Sequence, residues 1–275
     1  MAIRRSAAAK INLCLHVVGQ RDDGLHDLQS AVAFLDCGEW VEVRKSGRTQ
    51  LNILGPKAAE LPRPDDNLIL KAAALFPRHC QTDIRLHKTM PVASGIGGGS
   101  ADAAATLHAM AALWDLPLPG VAAQVLLGAD VPVCMGRSPV LMQGIGAQIS
   151  PLGDVPDLFA CLVNPGRGLS TARVFEQLAS KSNPPLEPPP PAAREFCAWL
   201  KRQRNDLQAP ALAAEPMIAD VLEALAAQAP LLARMSGSGA TCFALFESLA
   251  AAQGCAAAIQ AKRRDWWVAS GALLI

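Results

Sequence analysis

Glycine is concentrated at one point of the sequence, between residues 95 and 99, where four of five positions are glycine. Inside a helix or strand each glycine costs about 0.5–1 kcal/mol of backbone entropy, so a cluster indicates positive φ angles or a backbone that approaches a ligand closely. An alanine-rich helix is predicted to begin directly afterwards, and its unpaired N–H groups and positive dipole end would point into the glycine segment. This arrangement favours an anion site for a polyphosphate, with Ser100 placed as a helix N-cap or as a magnesium-bound hydroxyl. A turn that only caps the helix is the plain structural alternative.

Two familiar glycine motifs do not fit this segment. A P-loop ends in glycine, lysine and then serine or threonine, and no lysine follows these glycines. The dinucleotide fingerprint needs a third glycine where this chain has Ser100, and the preceding residues do not read as a doubly wound sheet. The sequence therefore predicts a phosphate loop of another class.

A lysine and an asparagine alternate in an apolar stretch near the N-terminus, at Lys10 and Asn12. Alternate residues of a strand share a face, and polar side chains among apolar neighbours are costly unless they meet a ligand or a partner. The alternative is that Lys10 extends to solvent at a strand end and Asn12 caps a turn. His26, just after a predicted turn, could equally be a surface residue.

A second glycine segment at 235–240 reads M-S-G-S-G-A and lies between two predicted apolar strands. Small alternating residues would let two backbones approach closely, or would present N–H groups to a phosphate. A tight hairpin turn is an equally good interpretation.

These segments need a scaffold, and the hydrophobic pattern predicts one that mixes strands and helices. Alternation and turn residues predict strands at 12–18, 27–35, 40–44, 84–88, 159–163 and 266–269, and a strand–glycine turn–strand unit at 231–246. Periodicity predicts helices at 66–75, 100–114, 121–127, 192–202, 217–228 and 249–262, the first capped by Asp65 or Asp66. Six prolines between 184 and 191 predict an exposed polyproline-type connector. The sum is an α+β protein in two halves, 1–150 and 151–275.

Composition argues against several classes of protein. The 275 residues carry a net charge of +1 and are 51% hydrophobic, which is typical of a globular chain and argues against binding nucleic acid through a basic face. No apolar run approaches the roughly 20 residues that cross a bilayer, and we expect neither a membrane span, a secretory signal nor a transit peptide. The eight cysteines lack zinc-site spacing, so we expect reduced, mostly buried thiols and a cytoplasmic protein. For the oligomeric state, the sequence leaves a monomer and a weak dimer open.

Taken together and in this order, the segments resemble the GHMP kinase superfamily, which includes galactokinase, homoserine kinase and mevalonate kinase. The motifs that carry the resemblance are A-K-I-N at 9–12, G-L-H-D-L at 24–28, D-N-L-I at 66–69, the glycine segment at 91–105, G-A-D-V-P at 128–132, N-P-G-R-G-L-S-T-A-R-V-F at 164–175, N-D-L at 205–207 and M-S-G-S-G-A at 235–240. The combination of A-K-I-N, G-x-H-x-L and S-T-x-x-V-F is similar to the subfamily that phosphorylates 4-diphosphocytidyl-2-C-methyl-D-erythritol in the non-mevalonate isoprenoid pathway.

The resemblance implies a two-domain GHMP kinase fold, with an N-terminal domain like domain 2 of ribosomal protein S5 and a ferredoxin-like C-terminal domain. It implies transfer of the γ-phosphate of ATP to the 2-hydroxyl of that substrate, with Mg²⁺ as cofactor. Asp130 corresponds to the catalytic carboxylate, which would accept the proton of the attacking alcohol. Lys10 corresponds to the lysine beside it, which would keep the carboxylate ionised and offset charge on the phosphoryl group.

The same correspondence implies the residues that bind ATP. The phosphates would lie against the glycine segment, with the serine near magnesium. The residues of this phosphate loop are Gly95, Ile96, Gly97, Gly98, Gly99 and Ser100. Asn67 and Lys88 match positions near the adenine pocket.

On the substrate side, Asn12 would support the catalytic pair and His26 would hydrogen-bond cytosine, while Thr171 and Phe175 would line the cytidine pocket. Leu25 departs from the pattern, because the family usually has a tyrosine that stacks on cytosine, and this chain contains no tyrosine. Loss of that stacking partner could weaken binding by about 0.5–1.5 kcal/mol.

Two other functions stay open on the sequence. One is another GHMP alcohol kinase with a homoserine-type or mevalonate-type substrate, although such kinases have no reason to carry the cytidine-side residues His26, Thr171 and Phe175. The other is a catalytically silent nucleotide-binding relative, although Lys10, Asp130 and the phosphate loop are all present.

Overall fold

The computed structural model describes residues 1–61, 67–146 and 148–275. The described chain forms two compact units that are built from alternating segments of the sequence. The first unit comprises Met1–Ala9, Asp36–Val92 and Gly97–Gly136, and the second comprises Lys10–Leu35, Ala93–Ile96 and Arg137–Ile275. A single cut near residue 150 does not separate these units, and the division into domains 1–150 and 151–275 stays a prediction.

Strands and helices occur in runs along the described chain, with six strands before the first α-helix. The strands are β1 Ala2–Ser6, β2 Ala9–Asn12, β3 His16–Gln20, β4 His26–Leu35, β5 Trp40–Lys45, β6 Gln50–Leu54, β7 Thr82–His87, β8 Val140–Gly144, β9 Gln148–Pro151, β10 Phe159–Asn164, β11 Leu232–Met235, β12 Cys242–Phe246 and β13 Trp267–Leu274. The helices are α1 Leu68–Ala73, α2 Gly98–Trp114, α3 Val121–Leu127, α4 Val131–Met135, α5 Thr171–Glu176, α6 Ala193–Arg202, α7 Gln208–Ala214, α8 Met217–Ala226 and α9 Leu249–Lys262. A short 3₁₀ turn covers Ala58–Glu60.

The first unit is a four-stranded sheet with helices packed on it. The strand order is β1-β5-β7-β6, and β6 runs parallel to β7 while the other neighbours are antiparallel. Helix α2 packs on β1 and β5 and also contacts α1 and α4. Because half of the buried side chains on α2 are alanine, the helix can approach the sheet closely. The start of α2, which carries part of the glycine segment, is thereby fixed to a rigid layer.

The second unit is a larger, largely antiparallel sheet. Its C-terminal part has the order β11-β12-β10-β13, with α5 to α8 between β10 and β11 and α9 between β12 and β13. This order and connectivity are those of a ferredoxin-like fold. The sheet continues from β13 to β4, which also pairs with β2, β3 and β8. Buried apolar residues of α8 and α9 share one core with β10 and β12.

Most predicted elements are confirmed with shifts of a few residues at their ends. The helices predicted at 121–127 and 249–262 have the observed bounds, and the proline run at 184–191 contains neither helix nor strand. The predicted cap at Asp65 or Asp66 lies outside the described residues, and α1 is instead capped by Asn67. Strands β1, β6, β8 and β9 and helices α4, α5 and α7 were not individually predicted, because each is short and carries too few periodic positions. The single strand predicted at 12–18 is divided between β2 and β3.

Candidate active site

The glycine segment ends in a left-handed turn from which α2 starts at once. Gly97 has a φ of 64° and is the N-cap residue, so Gly98 and Gly99 already belong to the first helical turn. The prediction that Ser100 caps the helix is therefore wrong, because the left-handed glycine begins the helix two residues earlier. The N–H groups of Gly98, Gly99 and Ser100 have no carbonyl partner within the helix, as at any helix start. They form a cradle with partial positive charge that suits a phosphate.

A hydroxyl and a carboxylate lie at the starts of two helices that pack together in the first unit. Asp130 is the N-cap residue of α4, and its half-buried carboxylate does not cap its own helix. A methyl group at Gly128 would lie 3.8 Å from Ser100 Oγ and 3.7 Å from Val131 Cγ2. The turn before Asp130 thus lies against the first turn of α2. This geometry agrees with a role for both side chains in one phosphate site.

Lys88 is buried and held by two carboxylates. Its Nζ lies 2.6 Å from Glu39 Oε1 and 2.9 Å from Asp102 Oδ2. Burial lowers the pKa of Lys88, but the attraction of Asp102 and Glu39 outweighs it and leaves the pKa raised. Burial raises the pKa of the Asp102 carboxyl well above its usual range, against the opposing effect of Lys88. The ammonium therefore has protein partners in the first unit, and its predicted place near adenine stays a prediction.

Asn67 has a structural task that the sequence did not reveal. Its side-chain oxygen accepts a hydrogen bond of 2.9 Å from the N–H of Ile69 and caps α1. An asparagine at an N-cap position contributes about 1 kcal/mol to helix stability. Whether adenine also meets this residue stays a prediction.

Lys10 and Asn12 lie on strand β2 and are both buried, with exposures of 4% and 1%. The alternative that Lys10 extends to solvent and Asn12 caps a turn is therefore wrong. The side-chain N–H₂ of Asn12 donates to Ser30 Oγ at 2.7 Å, and its backbone N–H donates to Ser236 Oγ at 3.1 Å. Its Oδ1 is buried and has no partner among the described residues. A buried acceptor without a partner is a place where a ligand donor would fit.

The second glycine segment brings two backbones of the second unit together. A methyl group at Gly95, whose φ is 75°, would lie 2.6 Å from the carbonyl oxygens of both Ser236 and Gly239. The Ser236 hydroxyl donates to the Gly95 carbonyl at 3.0 Å, and the Thr241 N–H donates to the Ser94 carbonyl at 3.1 Å. Two of the interpretations open on the sequence are observed together, since the segment is the turn between β11 and β12 and its backbone also approaches that of Gly95 closely. The segment at 235–240 holds Gly95 and, through Ser236, Asn12.

Asn205 has a positioning role that sequence reasoning missed. Its side-chain N–H₂ donates to the carbonyls of Met235 and Gly237 at 2.8 and 2.9 Å, and its Oδ1 accepts from the Leu207 N–H at 3.0 Å. Every hydrogen-bonding capacity of its amide nitrogen is used to hold the second glycine segment. In the sequence, the one indication of a role for Asn205 was that N-D-L at 205–207 is among the motifs of the family resemblance.

Two of the predicted cytidine-side residues meet in the second unit. The ring of His26 stacks on that of Phe175, with centroids 4.8 Å apart and an interplanar angle of 26°. His26 Nε2 is buried without a partner among the described residues, and burial together with the nearby charge of Lys181 lowers the pKa of His26. Thr171 Oγ1 lies 2.8 Å from Ser238 Oγ. Leu25, the residue before His26 in the sequence, is 50% exposed.

The described residues contain neither a metal-ligand cluster nor a membrane-spanning helix. Within 1–61, 67–146 and 148–275 there is no group of three or more His, Cys, Asp or Glu that could hold a metal ion. In the same part of the chain, no helix has both the length and the apolar character of a membrane span.

Comparison with known proteins defines the class. Residues 67–136 match the model of the GHMP kinase N-terminal domain, and residues 176–265 match that of the GHMP kinase C-terminal domain. The chain is 50% identical to 4-diphosphocytidyl-2-C-methyl-D-erythritol kinase of Ruegeria pomeroyi, covering 100% of both chains. The crystal structure of a 4-(cytidine 5'-diphospho)-2C-methyl-D-erythritol kinase matches with a TM-score of 0.82 at 29% identity, over 99% of both chains. A homoserine kinase of Cytophaga hutchinsonii matches with a TM-score of 0.68 at 18% identity, covering 100% of this chain and 95% of that one, which shows a shared fold.

The fold and both matched domains are thus those of a small-molecule kinase that uses ATP as phosphate donor. The chain belongs to the GHMP kinase family, in the branch of the 4-diphosphocytidyl-2-C-methyl-D-erythritol kinases.

Proposed function

We propose that this chain transfers the γ-phosphate of ATP to the 2-hydroxyl of 4-diphosphocytidyl-2-C-methyl-D-erythritol. The observation that carries the proposal is the cradle of unpaired N–H groups at Gly98, Gly99 and Ser100, with the Asp130 turn against it. Phosphoryl transfer needs mainly positioning and electrostatic stabilisation, and such a cradle supplies both to a polyphosphate. The acceptor is that of the full-length relatives, and His26, Thr171 and Phe175 are the cytidine-side residues that the family resemblance implies.

In this proposal Asp130 accepts the proton of the attacking hydroxyl, as a general base or as a group that orients it. Lys10 stabilises the negative charge that gathers on the transferring phosphoryl group. Asn12 offers its unpartnered Oδ1 to a donor of the substrate. The residues Gly95 to Ser100 bind the phosphates, and the Asn67 and Lys88 region receives adenine.

Magnesium fits the donor set, which consists of a serine hydroxyl and the phosphate oxygens of ATP. Mg²⁺ prefers oxygen ligands, keeps several waters and is commonly bound through substrate phosphates, so few protein ligands are needed. Ser100 would hold the ion beside the phosphates. When bound, the ion neutralises charge on the phosphates.

On the cytidine side, His26 hydrogen-bonds the base, Phe175 and Leu25 supply apolar contact, and Thr171 lines the pocket. The stack of His26 on Phe175 supports this assignment because it orients the imidazole before the base arrives. We further propose a cytoplasmic enzyme, since eight scattered cysteines without zinc-site spacing suit a compartment that keeps thiols reduced, and a monomer or weak dimer without nucleic-acid or membrane partners.

An ADP-release assay with MgATP tests the proposal, using 4-diphosphocytidyl-2-C-methyl-D-erythritol beside homoserine and mevalonate as acceptors. We expect turnover with the cytidyl alcohol alone, and a loss of kcat of about 100-fold or more in Asp130→Ala. Asp130→Asn is the matched control, since it keeps size and polarity but cannot accept the proton. Turnover with another alcohol would redirect the assignment within the family, and ATP binding without turnover on any acceptor would favour a silent relative.

A further inference from the structure

Three ionisable side chains are buried together beneath the first turn of α2. Glu39, Lys88 and Asp102 are 0%, 1% and 3% exposed. Burying charges is costly even when they are paired, and apolar residues of the same size often stabilise a fold equally well. The cluster therefore calls for an explanation beyond stability.

The ammonium of Lys88 lies directly against the start of α2. A methyl group at Gly98 would lie 3.3 Å from Lys88 Nζ, so a side chain at position 98 would press on the ammonium. Gly98 and Asp102 are four residues apart and therefore share one face of the helix. Lys88 Nζ meets this face at both positions, since it donates to Asp102 Oδ2 at 2.9 Å.

The other end of the cluster is tied to the sheet side of the unit. Glu39 Oε2 accepts the backbone N–H groups of Thr89 and Met90, both at 2.7 Å, while Oε1 accepts from Lys88. The backbone N–H of Lys88 donates to the carbonyl of Leu54 at 2.7 Å. The ammonium is thus held in place by Glu39, and its hydrogen bond to Asp102 holds the first turn of α2 in place in turn.

We infer that Lys88, Glu39 and Asp102 form a positioning triad that fixes the first turn of α2, so that its N–H groups are aligned for the phosphates of ATP. The Lys88 ammonium then acts on the phosphates of ATP through this turn and not by contact with them, whether or not adenine lies near the backbone of Lys88. The inference rests on the proposed function only in assigning phosphate binding to this turn.

Calorimetric titration with the magnesium complex of β,γ-imido-ATP tests the triad and requires neither turnover nor an acceptor. We expect Asp102→Ala to raise Kd about tenfold, because one charged hydrogen bond to the helix is lost. Asp102→Asn keeps an acceptor oxygen for Nζ and should stay within about threefold of the parent chain. Lys88→Met should weaken binding at least as much as Asp102→Ala. Lys57→Met is the matched control, since that lysine pairs with Glu60 at the surface and its loss should leave Kd unchanged.

Hydrogen exchange of the ligand-free protein separates positioning from contact. We expect the amides of 101–104, which begin with the Ala101 N–H bonded to the Gly97 carbonyl, to exchange faster in Asp102→Ala and Lys88→Met, and at the parent rate in Asp102→Asn. Unchanged exchange with weakened binding would mean that Lys88 touches the nucleotide, and unchanged Kd in both folded variants would also overturn the triad. If Lys88→Met does not fold, the comparison of Asp102→Ala with Asp102→Asn tests the triad by itself. A parent chain that does not bind the analogue overturns the triad, whereas binding without phosphorylation of the acceptor contradicts only the proposed function.

Discussion

The imidazole of His26 is held in place by its own neighbours in the second unit. It stacks on Phe175, and its buried Nε2 has no partner among the described residues. Burial, and then the charge of Lys181, lowers the pKa of His26. The ring is therefore neutral near pH 7, with one nitrogen as donor and the other as acceptor.

This state predicts a pH dependence for the cytidyl substrate. Because the folded pKa lies below the ordinary value of about 6.5, His26 stays neutral until the pH falls below that value. We expect KM for the cytidyl substrate to rise as the pH falls through that lowered pKa, since the protonated ring has no acceptor. Initial rates at about pH 5 to 8 measure how KM for the cytidyl substrate depends on pH, and KM for ATP is determined separately as a reference. His26→Asn keeps a donor and an acceptor but does not titrate, so a slope that persists in this variant would assign the effect elsewhere.

Single residues also show how far the sequence reaches. The pair Lys10 and Asn12 could be predicted as functional, because two polar residues in an apolar strand need a reason. The partners of Lys88 could not, since Glu39 lies 49 residues away in sequence and the β5–β7 pairing brings the two together. Likewise, no local pattern indicates that the amide of Asn205 holds a turn 30 residues away.

At the scale of elements, helices and strands with a long periodic pattern could be predicted and short ones could not. Helix α4 has five residues and starts with a proline in its first turn, and α7 carries Pro210 in its own first turn, where proline is tolerated. The start of α2 was misplaced because the sequence shows the glycines but not which of them is left-handed.

The C-terminal end of helix α6 is bound by a buried arginine of strand β11, which the hydrophobic pattern did not reveal. Arg234 is 7% exposed, and burial lowers its pKa. Its guanidinium donates to the carbonyls of Leu200 and Gln203 at 3.2 and 2.6 Å, and to that of Leu13 at 2.8 Å. It thereby binds the negative end of the helix dipole to the strand segment after Asn12.

Removal of this arginine should destabilise the protein more than removal of a surface charge on the same helix. We expect Arg234→Met to lower the free energy of unfolding by about 2–5 kcal/mol, since three buried carbonyls lose their donor. Arg234→Lys should lose less, because a cation with fewer donors remains. Arg202→Met is the control at about 0–1 kcal/mol, as its pair with Glu187 is exposed. Urea denaturation measures all three, and equal losses for Arg234→Met and Arg202→Met would contradict this account.

At the scale of the whole molecule, the sequence predicted two halves and the family resemblance predicted a ferredoxin-like C-terminal domain. The ferredoxin-like order of β10 to β13 is confirmed. The interleaved units could not be predicted, because residues 10–35 join the sheet of residues 137–275 through β4, a pairing with no local signal. Long-range strand pairing is set by the packing of the complete chain.

The interleaving leads to a prediction for the isolated segment 151–275. This segment contains all four strands of the order β11-β12-β10-β13 and nearly all of the core beneath α8 and α9. It lacks Leu15 and Val17, which are buried in that core, and the Leu13 carbonyl that accepts from Arg234. We expect it to fold cooperatively but to be less stable, with each lost apolar side chain costing about 1.5–3 kcal/mol.

Urea unfolding of segment 151–275, followed by far-ultraviolet circular dichroism and tryptophan fluorescence, tests this prediction. Coincident transitions at a lower midpoint than that of the full chain would support a C-terminal domain that folds on its own. A segment that begins at residue 137 is the matched control, because it restores β8 and β9 but not β4, β3 or β2. Since Leu15 and Val17 lie in the region of β3 and not of β8, this control should gain little stability. Addition of segment 1–150 in trans should raise the midpoint. If segment 151–275 shows no cooperative transition, residues 10–35 are required for folding and the unit of folding is the interleaved one.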